Sequence, residues 1–151
     1  LSSATLINRF FPPAQVYKEF YESSENLFDL LQFPDIWMLG YFKWELEFLE
    51  TLGFGLDLEK CTVTGSREDL KFISPKSGCA VSQAAAGDWS SKLLLYPVAA
   101  SGQVNSLEDI LDGLKVSQFF LERKVLTAFG MEQLPNARSR FIYLLEKKIR
   151  N

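Results

Sequence analysis

Tyr41 to Gly65 reads YFKWELEFLETLGFGLDLEKCTVTG. It begins as a helix. Trp37, Met38, Tyr41, Phe42, Trp44, Leu46, Phe48, Leu49 and Leu52 make a wide apolar stripe at helical spacing, and Lys43, Glu47, Glu50 and Thr51 make a narrow polar face. Gly53 can take the left-handed conformation that ends a helix. The chain then leaves through an apolar loop, Phe54 to Leu58, toward Cys61 and a turn at Thr64-Gly65. One residue breaks the stripe. At about 100° per residue, Glu45 falls among Tyr41, Phe48, Leu49 and Leu52. A carboxylate there needs a partner, because burying it alone is costly. An ion pair or a cap for a neighbouring loop satisfies that need, and no second acid or His supports a catalytic reading. A matching anomaly lies further on. In a helix expected from Lys115 to Ala128, Val116, Phe119, Phe120, Leu126 and Thr127 form the stripe, and Arg123 falls inside it. Glu45 and Arg123 are therefore expected to meet between two packed helices.

Upstream, Leu6, Ile7, Phe10 and Phe11 are spaced like one face of a short helix, stopped by Pro12-Pro13. Pro13 suits the first turn of the next helix, which runs to about Leu31 with Val16, Phe20, Leu27, Leu30 and Leu31 on its apolar face. Phe33-Pro34 breaks it, and Asp35 is placed to help cap the long helix. Downstream of Leu58 helical periodicity disappears until Val98. Short alternating runs at Thr62 to Thr64 and Asp69 to Ile73, turns at Gly65-Ser66 and Pro75 to Gly78, and a helix-like run at Ala80 to Ala86 mark a small irregular module. Ser106 with Glu108 and Asp109 then starts a short helix with Gly113 as its weak point. The Lys115 helix ends at Gly130, and a last helix after Pro135 carries Phe141, Ile142, Leu144 and Leu145 inward.

The chain of 151 residues is long enough for one core, or for a helical body with a small appended module, and nearly half of it is apolar, which argues against disorder. It has no run of about 18 apolar residues, so no membrane span is expected. The start shows neither Met nor a signal-peptide pattern, so the chain is expected to begin inside a longer protein. Two cysteines, Cys61 and Cys79, suit a reducing compartment better than a disulfide scaffold, with a single bridge as the alternative. Net charge is −3, but it is uneven: residues 1–59 hold three basic and ten acidic side chains, residues 60–151 thirteen and nine. Phosphate contacts are expected from the second part.

Helix, Leu-Gly-Phe-Gly-Leu-Asp-Leu at 52–58, Cys61-x-x-x-Gly65, Ser74-Pro75-Lys76-Ser77-Gly78 and Phe120-Leu121-Glu122-Arg123 occur in that order. Together they resemble the part of the bacterial recombination mediator family RecO that follows its N-terminal OB-fold. The resemblance runs from about Leu1 to Ile149 and is strongest between Tyr41 and Ser82. It implies a mostly α fold, a helical bundle over 1–57 and 99–151, with an inserted zinc-finger-like (treble-clef-like) subdomain at 58–98. Many members bind zinc with two C-x-x-C pairs. Here those positions align with Cys61, Thr64, Ser82 and Ala85, so one ligand of four remains. No metal and no cofactor are expected, because structural zinc needs four N or S ligands and the chain has no His. Leu70, Phe72, Ile73, Val81, Leu93, Leu94 and Leu95 are expected to hold the module together instead, packed on the helical body through Phe54 and Leu58.

Enzymatic function is disfavoured. Without His the commonest general base is missing, and the glycines form no phosphate loop. The resemblance implies a non-catalytic, cytoplasmic, nucleoid-associated role in DNA repair. It implies binding single-stranded DNA and single-stranded-DNA-binding protein, annealing strands, and helping RecR load RecA, with no membrane or small-molecule substrate. Candidate phosphate contacts are Arg67, Lys71, Lys76, Lys92, Arg138, Arg140, Lys147 and Lys148. A pocket for the acidic, aromatic-ended tail of that binding protein is sought at Phe42, Lys43, Phe119, Phe120 and Lys124, with Arg123 beside it. The alternative is a helical protein–protein adaptor without DNA contact, which the acidic first part favours. Steep salt dependence of oligonucleotide binding separates the two.

Overall fold

The structure is a computed structural model that describes residues 2–11 and 18–151. The expectations for Pro12, Pro13 and Val16, and for the side chain of Asp35, lie outside it. Helices dominate. They are α1 (Ser2–Phe10), α2 (Lys18–Asp29), α3 (Pro34–Thr51), α4 (Gln83–Ala86), α5 (Leu107–Phe120), α6 (Thr127–Phe129) and α7 (Asn136–Arg150). A three-stranded antiparallel sheet is inserted between α3 and α5, with β1 (Leu70–Ile73) flanked by β2 (Ala80–Ser82) and β3 (Leu94–Leu95).

Helix α3 lies at the centre because its apolar stripe is too wide for one neighbour. Phe42, Trp44, Phe48 and Leu49 are buried between α2 on one side and α5 on the other. Phe10, Phe11, Phe20, Trp44 and Phe48 interlock as an aromatic cluster with centroids 5.0 to 5.8 Å apart. Helix α7 closes the other end, where Phe141 stands 4.9 Å from both Trp37 and Tyr41. Gly53, at φ +87°, ends the helix as expected.

The module keeps two loyalties. Ile73 is fully buried in the main core, and Leu58, Leu94 and Tyr96 pack on it. Leu70, Phe72, Val81 and Leu93 gather around Cys61 in a second small cluster. Leu95 departs from its expected packing role, being 66% exposed on the edge strand. Thr62 to Thr64 forms no strand. The Gly65 amide donates to the Cys61 carbonyl, closing a turn there. The helix expected over Ala80 to Ala86 is half strand. Ser82 ends β2 and caps α4 by accepting the Ala85 amide.

Gly113 is no weak point between two helices, because α5 runs through it unbroken. A Cβ at this position would lie 2.7 Å from Cζ of Phe42, whose ring is fully buried. Glycine is there to let α3 and α5 approach closely. Gly113→Ala is expected to destabilise the protein by about 1–3 kcal/mol through overpacking, although alanine favours helices, as read from urea-unfolding midpoints.

Candidate functional site

Glu45 is fully buried, and its partner is Arg138 rather than Arg123. Arg138 Nε donates to Oε1 at 2.7 Å and Nη2 to Oε2 at 2.9 Å, a bidentate fork. The remaining valences are also filled. Tyr41 donates its hydroxyl to Oε1 at 2.7 Å, and Ser117 to Oε2 at 2.6 Å. Arg138 reaches the Leu114 carbonyl and Gln118 Oε1, both at 3.0 Å. The Ser2 hydroxyl is hydrogen-bonded to Tyr41. Burial pushes the Tyr41 hydroxyl well above its usual value, and the Glu45 charge adds to this. Burial alone would lower Arg138, but Glu45 outweighs it and holds the guanidinium above its usual value.

Arg123 lies six residues beyond Ser117, the residue of this helix that meets Glu45, which puts it about 9 Å further along the axis. After Phe120 the helix opens into a π turn, Leu121–Leu126. Each wider turn takes in an extra residue, which rotates later side chains by about 100° from their α-helical direction. Arg123 swings out to lie 5.6 Å from the centre of the Phe119 ring. Arg138 is correspondingly not a surface phosphate contact, being 2% exposed.

The tail pocket sought at Phe42, Lys43, Phe119, Phe120 and Lys124 is not assembled. Phe42 and Phe120 are core residues, and Phe119 is half-buried under Arg123. Lys124 donates to the Lys76 carbonyl at 3.2 Å, anchoring the module to the helical body. Lys43 lies apart, beside Glu47, Glu50, Leu56 and Leu58. A different groove exists. It has a volume of about 380 Å³ and is bordered by Ser2, Ser3, Leu27, Phe28, Leu31, Trp37, Tyr41, Ala137, Arg140, Phe141 and Leu144. Phe28, Leu31 and Leu144 remain 38%, 37% and 61% exposed on it. Among the described residues, Arg140 is its only charged side chain. Sequence periodicity could not reveal it, since it needs α1, α2, α3 and α7 side by side.

The other candidate cations are exposed: Arg67, Lys71, Lys76, Lys92, Lys147 and Lys148. Lys71 is 3.8 Å from Asp69, and Lys92 sits 4.7 Å from the centre of the Trp89 ring.

The four positions aligned with zinc ligands do converge. Cys61 Sγ accepts the Ser82 amide at 3.3 Å, Thr64 hydrogen-bonds the same sulfur, and Ala85 packs against the same cluster. Burial pushes the Cys61 thiol up. Hydrogen bonds from the Thr64 hydroxyl and Ser82 amide, with others from the Thr64 amide and Ser82 hydroxyl, outweigh it and bring the thiol to about 6. This donor set does not fit structural zinc. It offers one thiolate, two hydroxyls and a methyl, and among the described residues no three His, Cys, Asp or Glu side chains cluster. Among those residues too, no helix is long and apolar enough to cross a membrane.

A family model described as Recombination protein O C terminal matches residues 2–130. The DNA repair protein RecO of Ruegeria sp. (strain TM1040) is 44% identical over 140 residues, covering 91% of this chain and 58% of that protein. The DNA repair protein RecO of Dinoroseobacter shibae is 40% identical over 148 residues, covering 97% and 61%. The chain thus spans about three fifths of the length of these curated relatives. No solved structure matches it.

Removing one partner of the buried pair leaves the other charge stranded. Arg138→Met is expected to cost about 3–5 kcal/mol in chemical unfolding, whereas Arg123→Met costs under about 0.5 kcal/mol. The Cys61 thiol titrates near 6 in the folded chain and near 9.0 as an ordinary thiol. Its thiolate therefore contributes stability that is complete above pH 9.0, shrinks as pH falls toward 6, and is absent below that. The stability difference between the parent and Cys61→Ala should widen as pH rises through this interval, measured by urea titration at each pH.

Proposed function

The chain belongs to the RecO C-terminal family, and from that premise we propose that it is a non-catalytic docking part of a DNA repair and recombination mediator. The observation that carries this reading is the apolar groove between α1, α2, α3 and α7 with Arg140 on its rim. A short segment with an apolar aromatic end preceded by acids fits such a groove. Its ring would occupy the space beside Phe28, Leu31 and Leu144, and its carboxylates would meet Arg140. That is the chemistry the resemblance gives to the tail of single-stranded-DNA-binding protein. We place the tail here rather than at Lys43 and Lys124. Direct DNA contact would come from exposed cations of residues 60–151. Strand annealing, RecR binding and RecA loading would belong to the whole mediator in the bacterial cytoplasm, at the nucleoid. In this reading residues 58–98 act as a treble-clef-like knuckle held by packing, docked on the helical body of 1–57 and 99–151.

The adaptor reading draws on the acidic α2 and α3, and it removes DNA contact without removing the groove. Both readings predict that an acidic peptide ending in phenylalanine binds the chain, measured by fluorescence polarisation. Arg140→Glu and Leu144→Asp should each weaken it at least about tenfold, or about 1.4 kcal/mol, with unchanged circular dichroism. Unaltered peptide affinity in both variants removes the groove from the account.

A further inference from the structure

Helix α7 carries a second row on its outer side, which shares Arg140 with the groove rim and otherwise lies outside the groove. Arg140, Tyr143 and Lys147 follow one another at three- and four-residue spacing, so they share a face. At 1.5 Å per residue the two cations stand about 10 Å apart along the axis with the ring between them. Tyr143 is 63% exposed. Among the described residues neither Tyr143 nor Lys147 is engaged in a hydrogen bond, ion pair or ring contact. The helix contains five basic residues and one acid, Glu146, which lies 3.8 Å from Arg150. Residues 137, 141 and 144 face the groove, while Tyr143 projects about 100° away from Leu144 around the axis, on the far side of Arg140.

An uncapped aromatic ring bracketed by cations meets both needs of a flexible anionic strand with free base faces. The ring offers a stacking surface, and the cations offer phosphate contacts one turn to either side. A purely solvated crest would need the cations but gives no reason for a large ring held out among them. We propose that the outer face of α7 is a stacking ledge for single-stranded nucleic acid, in which Tyr143 takes a base and Arg140 and Lys147 take the flanking phosphates. The proposal rests on the DNA-contact part of the reading above and assigns that contact to one helix.

The test uses the 151-residue chain and a fluorescein-labelled oligodeoxythymidine, followed by anisotropy at about 50 and about 200 mM salt. Tyr143→Ala should weaken binding about tenfold, and Tyr143→Phe should restore parental affinity, since stacking needs the ring and not the hydroxyl. Lys147→Gln should lower the slope of log affinity against log salt by about one phosphate's worth, and Tyr143→Ala should leave that slope unchanged. A blunt duplex, whose base faces are stacked, should not distinguish Tyr143→Ala from the parent. Parental binding that is salt-sensitive but indifferent to both Tyr143 variants overturns the ledge and leaves DNA contact elsewhere standing. Absence of any binding by the parent overturns both. If Tyr143→Ala weakens only the acidic peptide and not the oligonucleotide, the crest is a protein-docking face and the ledge is rejected.

Discussion

A single buried carboxylate organises the helical body. Glu45 sits on α3, and the groups that neutralise it come from α3 itself, α5 and α7, with α1 joining through Ser2 and Tyr41. Taking two charges out of water is expensive, and well-packed apolar residues of the same volume often do as well. What the fork adds is alignment. Arg138 touches Glu45 on α3 and both Leu114 and Gln118 on α5 at once. A slide of α7 by one residue would break all of these together. Among the described residues no buried side-chain nitrogen or oxygen lacks a partner, so the network is closed rather than half satisfied.

Half of that arrangement was legible in the sequence. Glu45 announced itself as the wrong residue on an apolar face. Arg138 also left a signal, since Arg138, Ile142, Leu145 and Ile149 share one side of α7 at helical spacing. That signal was hidden because α7 is crowded with cations that read alike until packing sorts them. Arg123 misled because a place on an apolar stripe does not tell how far along the axis the facing residue lies, and Glu45 faces Ser117, six residues earlier. Gly113 carries the same lesson on a smaller scale. A glycine inside a helix reads as weakness until the ring lying against it is seen.

The inserted module was legible as texture and alignment. The shift from helical spacing to short runs falls where the sheet interrupts the helices. Its interior was less legible. Thr62 to Thr64 alternates like a strand, yet the turn closed by Gly65 and the Cys61 carbonyl takes it. Leu95 has the composition of a core residue but lies on an edge strand where nothing covers it. Around Cys61, Thr64 and Ser82 contribute hydrogen bonds and Ala85 contributes a methyl.

The wider turns at Leu121–Leu126 have a consequence for how this body can vary in length. Upstream of them, losing one residue from α5 would turn Leu114 and Ser117 away from α3 and unseat the shared carboxylate. Within them, a deletion would only tighten the coil to ordinary pitch, leaving everything before Phe120 undisturbed. The segment is thus a slack link in an otherwise rigid column, and it is where this lineage could gain or shed a residue without retuning the bundle.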